Sequence, residues 1–109
     1  MAQIIVTIKK RSTFVHVRDH GKFIRSSSFN LQILEDLQLE KVISIGYTAT
    51  KRLGNAVIRN RSKRIMRELA RKVIIKYGKK NFYYVIIAKS NLLKKSFNKL
   101  ELELEKLII

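Results

Sequence analysis

The chain lacks cysteine and proline altogether, and only eight of its 109 residues are Asp or Glu. Without cysteine, disulfide bridges and thiolate metal sites are excluded, which fits a reducing compartment and leads us to expect the cytoplasm. Since no proline or biased segment marks a linker, we expect one domain over residues 1–109. The apolar runs fall far short of the roughly 20 residues that cross a bilayer. The start, MAQIIVTIKKR, also lacks the pattern of a signal peptide.

Lys and Arg are what the chain has in excess, 24 against 8 acidic residues, for a formal net charge of +16. Such an imbalance repels itself in the compact state and indicates a polyanionic partner rather than a fold. Nucleic acid is the partner that this charge favours, with an anionic membrane surface and an acidic protein as alternatives. The apolar share of 46% supplies a core, which disfavours a disordered polycation.

Apolar periodicity predicts helices and strands in the order α-β-β-β-α-β-α. The first helix, over 12–21, has Ser12 as its expected N-cap, and the long helix, over 56–77, has Asn55. A glycine ends each of them. These elements make an α/β (α+β) two-layer sandwich with helices on a mixed sheet. Strands are predicted at 22–25, 29–34, 41–50 and 82–88.

The last segment of the chain carries two patterns. Residues 100–105 alternate between Leu and Glu, as a strand would. A longer apolar stripe has the spacing of a helix, and Leu and Glu are good helix formers, so a helix is favoured. Leu102 is the one residue that does not fit this helix. The stripe consists of Leu93, Phe97, Leu100, Leu104 and Leu107.

The 22 residues from 51 to 72 carry nine Lys or Arg and one acidic residue, Glu68. On a helical projection the cations occupy most of the circumference, and one face is left apolar. Like charges at i, i+4 destabilise a helix, so we predict that RNA phosphates offset the repulsion. A solvated face is the first alternative, and a membrane-surface helix, which needs the Trp or Phe that this helix lacks, is the second. The sheet-facing residues are Ile58, Ser62, Ile65, Met66, Leu69 and Val73.

Asn60 interrupts the densest cationic run, between Arg59 and Arg61. Guanidinium groups bind phosphate bidentately and stack on bases, and the amide of Asn60 can hydrogen-bond RNA sugars or base edges. The two arginines point about 200° apart round the helix, so we expect them to reach different phosphates.

Phe14 and Arg18 lie four residues apart on the first helix. A base can stack on Phe14 and Arg18 can bind phosphate, while burial of Phe14 in the core is the other interpretation. His16, Asp19 and His20 form an H-x-x-D-H pattern that can bind zinc, but no further ligand has suitable spacing, which favours surface histidines near RNA. No nuclease metal signature or nucleophile motif occurs. We therefore expect no catalytic residue in this chain.

The stretch GNAVIRNRSKR, residues 54–64, closely resembles the RNR motif of the bacterial ribonuclease P protein subunit. The preceding IGYTATKR, residues 45–52, resembles the strand that leads into that motif in the family. Segments at the first helix, the last strand and the last helix are also similar, so the resemblance extends over about residues 8–107.

The resemblance implies a ribosomal protein S5 domain 2-like fold, with a left-handed βαβ crossover through the long helix. It implies a catalytic RNA that uses Mg²⁺, held by RNA and substrate, to remove the 5′ leader of precursor tRNA. The protein is implied to bind that RNA and the leader, as one protein per RNA, with no membrane partner. A structural RNA-binding protein of ribosomal type, without a role in cleavage, is the alternative.

The matching motif residues are implied to contact the catalytic RNA near the cleavage site. The cleft between the first helix and the sheet is implied to take the single-stranded leader, with Phe14 as the matched aromatic residue. Arg18 stands where the family often has a second aromatic residue, so we expect a phosphate or guanidinium contact there. The implied RNA-binding residues are Lys51, Arg52, Asn55, Arg59, Asn60, Arg61, Lys63, Arg64 and Arg67.

Overall fold

The computed structural model describes residues 4–109, whose five strands form one mixed sheet. In chain order the strands are β1 (Ile5–Thr7), β2 (Lys22–Ile24), β3 (Phe29–Glu35), β4 (Ile43–Thr48) and β5 (Phe82–Ala88). Across the sheet their order is β1-β4-β5-β3-β2. The β1–β4 and β4–β5 pairs are parallel, and the β2–β3 and β3–β5 pairs are antiparallel. Strand β5 is therefore the centre of the sheet.

The helical backbone between β4 and β5 is continuous over residues 56–77. It consists of α2 (Ala56–Leu69), a π-helical segment (Ala70–Ile74) and α3 (Ile75–Tyr77). The other helices are α1 (Arg11–His20) and α4 (Phe97–Ile108). This long helical stretch is the crossover that joins the parallel neighbours β4 and β5.

Every predicted helix and strand is present, and the predicted sandwich of helices on a mixed sheet is confirmed. One strand, β1, was not predicted, because its three residues pair with a partner far along the chain. The prediction of Ser12 as an N-cap is wrong, since α1 begins one residue earlier and Lys10 at the cap position makes no side-chain bond. Leu93 lies in a short 3₁₀ turn ahead of α4 rather than on its stripe. Leu102 is exposed, as its misfit in the stripe implied.

Successive residues of β5 point into two different cores. Tyr84 and Ile86 face α2 and α4, where the larger cluster fully buries Met66. Val85 faces the other way and packs with Val17 of α1 in a smaller cluster. Each fully buried side chain of this size contributes roughly 1.5–3 kcal/mol. The sheet is thus covered on both faces, and α1 adds a layer of its own opposite α2 and α4.

Glu103 of α4 fastens the loop between β2 and β3 to that helix. Its carboxylate accepts hydrogen bonds from Ser26 Oγ at 2.5 Å, from Ser28 N at 2.9 Å and from Ser28 Oγ at 2.8 Å. Lys95 Nζ lies 3.3 Å from the same carboxylate. Burial pushes the pKa of Glu103 upward, but these bonds outweigh burial and hold the pKa below its ordinary value. The charged form therefore stabilises the folded state.

We predict that Glu103→Gln lowers the free energy of unfolding by about 1–3 kcal/mol at neutral pH, because buried donors lose a charged acceptor. Because the folded pKa is depressed, the contribution of Glu103 is fully present above the unfolded pKa and is lost as the pH falls through the folded pKa. The difference between wild type and variant, measured by chemical denaturation, should close in acid. Glu105→Gln is the control, since the Glu105 carboxylate makes no hydrogen bond within residues 4–109. An equal loss in both variants would contradict the role given to Glu103.

Candidate nucleic-acid interface

A short turn places two cations immediately ahead of α2. Lys51 and Arg52 are exposed on a 3₁₀ turn that ends at Gly54, whose φ is 152°. A Cβ on Gly54 would lie 2.8 Å from Cδ1 of Ile58, so glycine lets the chain turn closely into the helix. Asn55 then caps α2 as predicted, because its Oδ1 accepts a hydrogen bond from Ile58 N at 3.0 Å. Within residues 4–109 the amide NH₂ of Asn55 makes no hydrogen bond of its own.

The two faces predicted for the long helix are confirmed. Ser62, Met66 and Leu69 are fully buried against the sheet, and the Ser62 hydroxyl donates back to Ile58 O at 2.9 Å. The opposite face is exposed, except that two of its cations, Arg59 and Lys63, are half-buried. The exposed members are Asn60, Arg61, Arg64, Arg67 and Arg71.

The cations of α2 have no acidic partner among residues 4–109. Among residues 4–109 three ion pairs occur, and none of them involves residues 51–72. The pair that the spacing allowed, Arg64 with Glu68, does not form in this part of the chain. The face therefore keeps a dense positive charge for an outside partner.

A cleft of about 660 Å³ lies between α1 and the sheet. Its floor is formed by strand residues that include Gln32, Val85 and Ile87, and Lys63 of α2 lines it as well. The cleft and the cationic face of α2 are therefore one continuous surface. Other residues that line it are Lys9, Arg11, Phe14, Arg18, Tyr47 and Thr48.

Phe14 belongs to the core and to the cleft at once. Its ring lies on the backbone of β4, where a Cβ on Gly46 would be 2.5 Å from Cε1 of Phe14. The ring packs against the small cluster around Val17 and Val85, is half-buried and lines the cleft. The core interpretation of Phe14 therefore holds for its packed edge. Another edge is accessible from the cleft, and stacking of a base on it stays a prediction.

Arg18 also lines the cleft, and its position agrees with the site predicted beside Phe14. Its Nε donates to Oδ1 of Asp19 at 3.2 Å, and both side chains of this pair are exposed. Exposed ion pairs contribute little, so Arg18 is available to an RNA phosphate at little cost.

The side chains of the H-x-x-D-H pattern on α1 do not converge as zinc ligands would. The rings of His16 and His20 are 5.0 Å apart, but Asp19 turns to Arg18 and does not join them. Nε2 of His16 lies instead 3.7 Å from Oδ2 of Asp36, at the end of β3. Within residues 4–109 no group of three or more His, Cys, Asp or Glu side chains is arranged to hold a metal ion.

Sequence reasoning missed a second depression, of about 230 Å³, on the α2 side of the sheet edge. Tyr47, Arg67 and Arg71 line it. Burial raises the pKa of the Tyr47 hydroxyl, and the two arginines beside it lower that pKa in part. The spacing of four residues between Arg67 and Arg71 was visible in the sequence. That Tyr47 of β4 faces them could not be predicted from the strand pattern alone.

No helix among residues 4–109 combines the length and the apolar character that crossing a bilayer would require. The apolar face of α2 is occupied by the sheet, so it has no free apolar stripe to insert into lipid. The apolar face of α2 is thus part of the core, which does not favour the membrane-surface interpretation.

The comparison with known proteins agrees with this geometry. The family model for ribonuclease P matches residues 5–109, which is nearly the whole chain. The chain belongs to the ribonuclease P protein family. Within the family it is 40% identical over 73 residues to the ribonuclease P protein component of Gluconacetobacter diazotrophicus, over 67% of this chain and 62% of that protein. The match thus spans less than two thirds of that relative.

A longer match links the chain to the ribonuclease P protein component of Thermoanaerobacter sp., with 30% identity over 110 residues, 100% of this chain and 91% of that protein. Two solved structures share the fold. The RNase P protein of Thermotoga maritima has a TM-score of 0.77 at 20% identity and covers 94% of each chain. The RNase P protein of Staphylococcus aureus has a TM-score of 0.76 at 24% identity, over 92% of this chain and 89% of that one. The family predicted from residues 54–64 is confirmed.

We predict that the cap and the RNA contact of Asn55 can be separated by substitution. Asn55→Ala should lower the free energy of unfolding by about 1 kcal/mol, because α2 loses its cap, whereas Asn55→Ser keeps a capping oxygen and most of the stability. If the amide NH₂ contacts RNA, both variants should bind RNA more weakly. Thermal unfolding and RNA titration measure the two effects. Full RNA binding by Asn55→Ser would limit Asn55 to capping.

Proposed function

We propose that this chain is the protein subunit of a ribonuclease P that removes the 5′ leader of precursor tRNA by Mg²⁺-dependent endonucleolytic cleavage. In this proposal it binds the catalytic RNA and the leader, as one protein per RNA, in the cytoplasm. The observation that supports this best is the continuity of two surfaces at Lys63, which belongs to the cationic face of α2 and lines the cleft. A folded RNA can lie along the helix while a single strand enters the cleft.

The cationic face of α2 suits the phosphates of a structured RNA. Apart from the half-buried Arg59, its arginines are exposed. All of them lack acidic partners within residues 4–109 and point in several directions round the helix. Arginine forks bind phosphate oxygens bidentately, and each phosphate contact releases a condensed counterion. We assign the catalytic RNA to Lys51, Arg52, Asn55, Arg59, Asn60, Arg61, Lys63, Arg64 and Arg67.

The cleft suits a single strand rather than a duplex. It combines the half-buried ring of Phe14 with a cationic rim at Lys9, Arg11, Arg18 and Lys63. Aromatic platforms inside positively charged grooves are the usual means by which proteins hold unpaired nucleotides. We therefore assign the leader to the cleft, with Phe14 stacking on a base and Arg18 binding its backbone.

Magnesium ions do not fit the protein side of this interface. Glu68 is the only carboxylate among residues 51–72, and the nine cations around it would repel a divalent ion. In our proposal the RNA subunit and the substrate hold the metal, and the chemistry belongs to the RNA. The cations of the protein reduce the repulsion between the phosphates of the catalytic RNA and those of the substrate as the two RNAs approach each other.

A structural RNA-binding protein of ribosomal type is the second candidate, because the cationic face of α2 alone would serve it equally well. The cleft favours the first candidate, since a purely structural role on folded RNA does not call for a groove with an aromatic platform and a cationic rim. Cleavage of precursor tRNA separates the two.

The deciding experiment is a precursor-tRNA cleavage assay with a bacterial ribonuclease P RNA. The purified protein should lower the Mg²⁺ concentration at which that RNA releases the leader, because protein cations take over part of the charge neutralisation. The protein without the RNA should cleave nothing. Tight binding to the RNA with an unchanged Mg²⁺ requirement would favour the structural candidate.

We predict that Arg61→Ala weakens binding to the catalytic RNA and reduces the dependence of log Kd on log salt by about one phosphate contact. Lys80→Ala is the matched control, since it removes one exposed cation from the loop beyond α3. Titrations at several salt concentrations measure both slopes. Equal changes in the two variants would show that only net charge matters and not the face of α2.

A further inference from the structure

Gln32, in the floor of the cleft, is a buried amide that has no hydrogen-bond partner among residues 4–109. The residue is 8% exposed, and within residues 4–109 its side chain makes no hydrogen bond. Burying an amide without a hydrogen bond costs free energy, so such groups in a native protein call for an explanation. Gln32 lines the cleft, so a ligand that enters the cleft meets this residue. Its carboxamide has one acceptor oxygen and one NH₂ group.

Phe23, on the edge strand β2, stands directly beside Gln32. The two residues are cross-strand partners, so their side chains project from the same face of the sheet. That face carries the cleft, since Gln32 pairs in turn with Val85, which packs under α1. Phe23 is nevertheless 50% exposed, whereas its neighbour Ile24 packs into the core on the other face. An exposed aromatic ring on a sheet is a platform on which an RNA base can stack.

One row of residues links this position to Phe14. The register across the sheet is Gly46, Val85, Gln32 and Phe23, on β4, β5, β3 and β2. The ring of Phe14 lies over Gly46 at one end of the row, and Phe23 lies at the other end. Three strand spacings separate the ends by about 14 Å. One base cannot contact both rings, so the row offers places for two different nucleotides.

We propose that Phe23 and Gln32 form a second base-binding subsite, in which one nucleobase of a single-stranded RNA stacks on Phe23 and hydrogen-bonds the Gln32 carboxamide. This rests on the proposed function, because it takes the strand in the cleft to be the leader. It extends the leader's path from Phe14 across the sheet to its β2 edge.

The two side chains have different tasks in this subsite. Every base has an aromatic face, so stacking on Phe23 provides affinity with little selectivity. The edges of the four bases present different donors and acceptors, and an amide with one acceptor and one NH₂ group matches them unequally. Gln32 is therefore the specificity-determining residue. Arg18 lines the same cleft and supplies a cation for the adjoining phosphate.

The test combines protein variants with single abasic nucleotides in the leader. Holoenzyme is assembled from this chain and a bacterial ribonuclease P RNA, and its affinity is measured for precursor tRNAs that lack one leader base at a time. With the intact leader, Phe23→Ala should weaken binding by roughly five- to one-hundred-fold, as loss of one stacked base does. At one abasic position, Phe23→Ala should cause no further loss, because the base that it contacts is already absent.

Gln32→Leu should couple to the same abasic position as Phe23→Ala. Precursor tRNAs that carry A, C, G or U at this position should also differ less in affinity for the Gln32→Leu holoenzyme than for the wild type. Phe14→Ala should couple to a different position. Phe23→Tyr should restore wild-type behaviour, because it keeps the ring. Leu102→Ala removes a comparably exposed apolar side chain from α4 and should change nothing.

Each negative result has its own meaning. If Phe23→Ala folds and has the wild-type abasic profile while Phe14→Ala still couples to one position, the second subsite is refuted and the proposed function stands. Coupling of Phe23 and Gln32 to different positions refutes a shared base. If the wild-type holoenzyme does not distinguish precursor from mature tRNA, the proposed function fails and the subsite fails with it.

Discussion

The structure depends on a balance within α2 between burial on one side and charge repulsion on the other. The series Arg59, Lys63, Arg67 and Arg71 makes three like-charge pairs at i, i+4, each of which costs about 0.2–0.5 kcal/mol. Fully burying Met66 alone contributes about 1.5–3 kcal/mol. Burial therefore outweighs the repulsion. The helix therefore keeps its position on the sheet in the free protein, and its cationic face is formed before any partner binds.

The sheet divides the site into two parts, the cationic helix α2 on one face and the cleft on the other. Because β4 and β5 are parallel neighbours, the chain must cross one face to connect them, and the crossover is the cationic helix itself. The other face is left to α1, which covers only part of it. The uncovered part is the cleft, and Lys63 reaches it from α2. A basic helix and an aromatic groove thus adjoin because of the strand order, although they lie on opposite faces of the sheet.

Much of this was readable from the sequence because it is local. The cap at Asn55, the glycine ends of the helices and the stripe from Ile58 to Val73 depend on neighbours within one or two turns. The RNR motif named the family from 11 consecutive residues, 54–64. Most of what was missed depends on distant partners. Strand β1 is defined only by its pairing with β4. The Ser12 cap is a separate, local error, since α1 begins at Arg11.

The residues of the site also divide into those set by local pattern and those set by distant packing. Gln32 is a polar residue within an otherwise largely apolar strand, β3, and the face of the sheet on which it lies is partly covered by α1, where the residue is buried. A period of 3.6 residues does not reveal the π-helical segment, in which Ile75 N–H donates to Ala70 O. That segment buries both Val73 and Ile74, of which the helical stripe predicted only the first. Tertiary packing, absent from any local pattern, decides such positions.

Because β5 is the middle strand of the sheet, its late synthesis also limits when the sheet can form during translation. Residues 4–77 include four of the five strands and the whole cationic helix, but β4 and β3 touch only through β5. The loop beside Phe23 is fastened still later, when Glu103 arrives with α4. Such non-local closure delays folding. When about two thirds of this chain has been synthesised, the strongly basic residues 51–72 are therefore close to ribosomal RNA. The sheet against which they pack is not yet complete at that point.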